Sequence, residues 1–173
     1  MCGIAGQFNY ARNEPVEPGM IRRMADSIAH RGPDDDGYLI SGSLGLGFRR
    51  LSIIDLSPRA AQPMASGRTP GWLTYNGEVY NYKALQRELK DLGRTFQSDS
   101  DTEVVLQGYE QWGVRVVDRL RGMFALGIWD GRTQALLLAR DRLGIKPLYT
   151  FRTADALLFA SEIRSLLASG MVP

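Results

Sequence analysis

Two apolar runs, residues 123–129 and 135–139, flank an Asp130-Gly131 pair, and so short a connection can only bring the second strand back antiparallel to the first. The same punctuation recurs along the chain. Residues 148–152 and 156–160 read as the arms of another hairpin, and residues 38–41 and 44–54 as alternating strands parted by Gly42-Ser43. Residues 3–9 read as a strand that begins almost at the N-terminus, and residues 73–75 as a short strand ending at Asn76-Gly77. Helical periodicity fills the intervals. Residues 18–28 put Met20, Ile21, Met24 and Ile28 on one face, and Asn81 is placed to cap a helix carrying Leu85, Leu89 and Leu92 before Gly93. Ser100 and Glu103 have capping-box spacing ahead of a Val105, Tyr109, Trp112 stripe that Gly113 stops, and residues 162–169 form a terminal helix stopped by Gly170. Antiparallel strand pairs with helices gathered in blocks define an α+β fold, and no linker divides residues 1–173 into two domains.

Composition narrows the function classes. The 173 residues are 44% hydrophobic and 23% charged, the make-up of an ordinary globular domain and not of a disordered chain or a coiled coil. The net charge is +2, and the arginines are scattered without a basic stripe, so a nucleic-acid partner and a polybasic membrane patch are both excluded from the reading. The longest wholly apolar run, residues 135–139, is far too short to span a bilayer, and no basic segment precedes an apolar stretch at the start. With one cysteine there is no internal disulfide, which fits a cytoplasmic protein.

That cysteine is Cys2. A small residue after Met1 permits removal of the initiator methionine, which leaves a thiol and a free α-amine on one residue. The amine, titrating near ~8, is a useful proton acceptor for a thiol that is only a few per cent ionised at neutral pH. The alternative is a small buried hydrophobe at a strand start. His30, the only histidine, would have to serve any Cys-His dyad; its other reading is a residue that caps a helix or orders a loop. One Cys and one His without a spaced carboxylate cluster do not make a metal site.

Several motifs together carry a resemblance. MCGIAG at the start, HRGPDDDG from His30, RLSIIDL from Arg50, QPM from Gln62, NGEVYN from Asn76, SDTE from Ser100, GMFALGIWD from Gly122, RDRLGIKPLY from Arg140 and SEI from Ser161 stand in one order across nearly the whole chain. The chain resembles the glutaminase domain of glutamine-dependent asparagine synthetases. The resemblance implies a class II glutamine amidotransferase with an N-terminal nucleophile hydrolase fold, an αββα sandwich of two antiparallel sheets. It also implies a synthetase domain, with a Ser-Gly-Gly pyrophosphate loop, lying outside these residues in a longer chain or in a separate one. ATP and Mg would belong to that half, and the domain itself needs no cofactor and no metal.

Glutamine is a zwitterion, so its pocket needs a fixed cation and a fixed anion. A guanidinium grips a carboxylate with two parallel hydrogen bonds, and on a strand only one of Arg49 and Arg50 can line the pocket; the family motif puts it at Arg50. The match to SDTE favours Asp101 over Asp99 for the ammonium. By resemblance, the Asn76 side chain and the Gly77 N–H form an oxyanion hole beside Cys2, although Asn-Gly is also a common hairpin turn. Ile53, Ile54 and Glu78 are implied as substrate contacts, and Arg31 as a residue behind the pocket. Two other readings stay open: an amidotransferase serving a different acceptor, and a non-catalytic module that binds glutamine.

Overall fold

The computed structural model of the chain describes residues 1–52 and 58–173. Its strands form two sheets, antiparallel throughout. The first contains β1 (Gly3–Phe8), β2 (Asp35–Ser41), β3 (Leu44–Arg50), β8 (Tyr149–Arg152) and β9 (Leu157–Ala160), in the order β2-β3-β1-β9-β8. The second contains β4 (Met64–Ala65), β5 (Gly71–Val79), β6 (Gly122–Asp130) and β7 (Ala135–Arg140), in the order β4-β5-β6-β7. Helices α1 (Pro18–Asp26) and α5 (Ile163–Leu167) pack on the first sheet. Helices α2 (Tyr82–Asp91) and α3 (Asp101–Trp112) pack on the second, and α4 (Val116–Arg119) follows α3.

Three apolar clusters set the layers. Met20, Ile21 and Met24 of α1 meet Ala5, Leu158 and Leu166; Ile4, Leu46 and Phe48 meet Ala125, Trp129 and Phe159 between the sheets; Leu73, Leu126 and Ile128 meet Leu85, Leu89 and Val105. Period-2 alternation is the cause: on β1, Ala5 faces the helices while Ile4 faces the other sheet. The result is the αββα sandwich of an α+β protein, and no helix among the described residues is long and apolar enough to cross a membrane.

Several local expectations are corrected. Asn76-Gly77 is not a turn, because β5 continues to Val79 with Asn76 opposite Ala125 and Gly77 opposite Phe124; a long partner strand outweighs the local preference of the dipeptide. Asp130-Gly131 only begins a longer loop, in which Gln134 takes φ 53° and Arg132 folds back onto the Asp130 carboxylate. Strand β2 starts at Asp35, and β3 ends at Arg50. Helix α1 stops at Asp26, though Ile28 is still buried, and α5 spans only Ile163–Leu167. Leu92 lies beyond α2 and is half-exposed. Asn81 does not cap α2, since its amide bridges the Arg119 carbonyl and the Arg121 N–H. Ser100 does cap α3, accepting from the Glu103 N–H at 3.2 Å, while the Glu103 carboxylate turns to the N–H groups of Gln97 and Ser98.

Candidate active site

Between the end of β3 and the middle of β5 lies a cavity of about 240 Å³, below the usual size of a drug-sized ligand pocket and suited to a single amino acid. Cys2, just before β1, lies on its wall. The thiol donates to the Leu51 carbonyl at 3.6 Å and accepts from the Leu51 N–H at 3.4 Å. Burial pushes the thiol up, and the Leu51 N–H, the N-terminal charge and Arg50 only partly oppose this. A thiol so placed needs a base to become a nucleophile.

Asn76 faces the cavity from β5. It is 2% exposed, and its Nδ2 has no hydrogen-bond partner among the described residues. Such a donor costs free energy unless something outside the protein takes it. Gly77 also lines the wall. A Cβ there would stand 2.5 Å from the Met123 carbonyl oxygen, so strand β6 is what demands glycine at this position.

The first residue of α3 supplies the anion. Asp101 is 4% exposed; Tyr75 and Val79 both donate to its Oδ2, at 2.8 and 3.0 Å. Burial raises the carboxyl above the ordinary carboxylate range despite those bonds. Burial also pushes the Tyr75 hydroxyl well up, so it stays a donor to Asp101. Arg50 supplies the cation, its guanidinium buried in the wall 3.8 Å from Asp35. Strand alternation sends Arg49 the other way, onto the Ala25 carbonyl and Asp26 at the end of α1.

The other candidates divide. Glu78 lines the rim. Arg31 does not line the cavity; its Nε donates to the Cys2 carbonyl at 3.0 Å. His30 turns to Glu162 at 2.9 Å, so it stands apart from the cavity that Cys2 lines. Ile53 and Ile54 lie outside the described residues. No group of His, Cys, Asp or Glu among the described residues could hold a metal ion.

Other lining residues, among them Gln62, Thr102, Tyr75 and Lys146, were not singled out from the sequence. Gln62 accepts from the Tyr75 N–H at 2.6 Å and so ties the loop before β4 to β5. Thr102 follows Asp101, and Tyr75 read only as a strand residue. Lys146 is 6% exposed, and its ammonium reaches the sulfur of Met1 at 3.1 Å. Gln62 and Lys146 both stand inside motifs already noted, QPM and RDRLGIKPLY, but neither has a period or spacing that reveals a role.

A half-buried thiol, an amide nitrogen without a partner among the described residues, a carboxylate and a guanidinium thus line one cavity. Over residues 1–173 the chain matches the family described as "Glutamine amidotransferase domain", and it belongs to that family. It is similar to asparagine synthetase (glutamine-hydrolysing) 1 of Bacillus subtilis, with 45% identity over 172 residues, 98% of this chain and 27% of that protein. A second B. subtilis asparagine synthetase (glutamine-hydrolysing) is 42% identical over 175 residues, 100% of this chain and 23% of that protein. Amidase chry2 of Gibberella zeae is 40% identical over 184 residues, 100% of this chain and 27% of that protein. The chain thus spans about a quarter of the length of these curated relatives. Its fold is similar to that of glutamine phosphoribosylpyrophosphate amidotransferase from B. subtilis, with TM-score 0.81 and 22% identity over 98% of this chain and 44% of that one.

Proposed function

We propose that this chain is a glutaminase domain that hydrolyses L-glutamine to L-glutamate and ammonia through a thioester on Cys2. Removal of Met1 uncovers the Cys2 amine, which takes the thiol proton as sulfur attacks the side-chain amide. The amide oxygen, now negative, is met by Asn76 Nδ2 and the Gly77 N–H. The amine then gives its proton to the departing ammonia, and water hydrolyses the thioester. Arg50 and Asp101 hold the α-carboxylate and the α-ammonium, with Glu78, Ile53 and Ile54 as further substrate contacts. No metal or cofactor takes part in these steps.

The observation that carries this reading is the buried Asn76 amide, without a partner among the described residues, in the cavity that Cys2 also lines. The ammonia passes to a synthetase domain or subunit that uses ATP and Mg to make asparagine from aspartate, a reading supported by the B. subtilis relatives. Residues 1–173 are then one domain of that system, working in the cytoplasm. Amidase chry2, equally covered by this chain, favours a second reading in which the acceptor differs. The test is ammonia release from glutamine by Met1-free protein, verified by intact mass. Cys2→Ala abolishes release and keeps glutamine binding by calorimetry; turnover in that variant sinks the mechanism, and an inactive processed wild type leaves a binding module.

A further inference from the structure

Residues 161 and 162, near the far end of the chain, grip the segment that carries the nucleophile. Ser161, wholly buried, takes both backbone polar groups of Ile4: its Oγ accepts from the Ile4 N–H at 3.0 Å and its N–H donates to the Ile4 carbonyl at 2.9 Å. Glu162 reaches the same segment through a second side chain. Its Oε1 accepts from Arg31 Nη1 at 2.9 Å, and Arg31 Nε donates to the Cys2 carbonyl at 3.0 Å. One planar guanidinium thus spans Glu162 and Cys2, which a flexible point charge could not do in one fixed geometry.

We propose that Glu162 is a positioning residue for the Cys2 nucleophile, acting through Arg31. Arg31 is almost buried, its side chain 9% exposed, whereas the other partners of Glu162, His30 and Arg164, stand half or more in water. The carboxylate therefore serves the guanidinium first, and the ion pair between them keeps Glu162 charged at working pH: burial alone would raise its pKa, but the bonds from Arg31 and His30 hold it below the ordinary range. The contact uses the carbonyl of Cys2 and not its amine, so it survives removal of Met1. It fixes the peptide unit from which the thiol projects, and the thiol's other anchor is the single backbone unit of Leu51. Losing either anchor lets the sulfur drift relative to Asn76, and a displacement of about 1 Å in a reacting group costs on the order of 10²-fold in rate.

The proposal rests on the glutaminase reading, and the experiment separates the two. Met1-free wild type, Glu162→Ala, Arg31→Ala and the double variant are compared in glutamine hydrolysis and in alkylation of Cys2, the sole thiol, by iodoacetamide. Glu162→Ala lowers kcat by about ten- to a hundredfold with KM within about twofold, and in the Arg31→Ala background it costs nothing further. Alkylation moves the opposite way, faster in Glu162→Ala, because the thiol leaves its shelter at Leu51; a purely structural ion pair would move neither quantity while lowering the melting temperature. If Glu162→Ala does not fold, Glu162→Asp, which withdraws the carboxylate by one methylene, is read in the same way. Unchanged kcat, or losses that add in the double variant, overturn the proposal. A wild type that releases no ammonia overturns the glutaminase reading instead, and the alkylation rates then decide the positioning role.

Discussion

The Asp101 carboxylate is held almost wholly out of water, and Tyr75 and Val79 both bond to its Oδ2. Burial raises its pKa, so the folded state binds a proton more readily than the unfolded chain does. The sign follows: stability is greatest with Asp101 protonated and is lost as pH rises from the unfolded value through the raised folded one. On the proposed mechanism, an α-ammonium group beside this carboxylate offsets the cost of its burial. Asp101→Asn keeps one oxygen for Tyr75 and Val79, so its melting temperature at pH 7 does not fall below that of the wild type, while the KM for glutamine rises steeply. A lowered melting temperature with unchanged KM would make Asp101 a structural residue only. Arg50 and Arg49 give a paired comparison, since one lies in the cavity wall and the other on α1. Arg50→Lys keeps the charge but loses the planar fork and raises KM far more than Arg49→Lys does. Steady-state kinetics on both variants check this, and the reverse order would contradict the assignment of faces.

Among the elements, the loop that joins β7 to β8 depends on one carboxylate. Asp141 accepts from the N–H groups of Ile145 at 2.9 Å, Lys146 at 3.0 Å and Phe124 at 3.2 Å, which bends the chain so that Lys146 enters the cavity. Burial pushes the Asp141 carboxyl up, but these N–H groups, with that of Leu143, outweigh it and hold it below the ordinary range. An acid whose pKa is depressed stabilises the fold above its unfolded pKa, and that stability is lost as pH falls through the folded value. Asp141→Asn thus melts lower than the wild type at pH 7, and the gap closes in strongly acidic buffer; melting curves across pH measure it. The sequence marked this loop only by the motif RDRLGIKPLY and not by its bonding, because a carboxylate nest has no periodicity. Period-2 and helical patterns did reveal the hairpins and α3, whose Ser100 cap bonds as the spacing required. Asn76-Gly77 was the misleading element: the dipeptide favours a turn locally, and only the pairing with β6, a contact some 50 residues away, keeps it in a strand. The placement of Arg50 and not Arg49 in the cavity wall was legible through strand alternation, and that of Asp101 through motif wording. Tyr75 and Gln62 were not, since their roles exist only once β5 and the loop before β4 meet.

For the whole molecule, the sandwich brings the segment ahead of β1 to the cavity between the end of β3 and the middle of β5. Strand β1 lies between β3 and β9, and the N-terminal residues ahead of it emerge where the second sheet presents Asn76. With Met1 in place, its side chain lines that cavity and meets Lys146, and the amine of Cys2 on which the proposed mechanism relies is tied up in a peptide bond. The central claim is that this architecture serves a developing charge and does not merely bind an amino acid. It is tested most directly by Asn76→Ala in Met1-free protein, with glutaminase kinetics and a melting curve taken on one preparation. Loss of an oxyanion donor costs ~10²–10³ in kcat, or about 3–4 kcal/mol, with little change in KM and no fall in melting temperature, since the Nδ2 donor removed has no partner among the described residues. An unchanged kcat with a lowered melting temperature would contradict the account and return Asn76 to the fold alone.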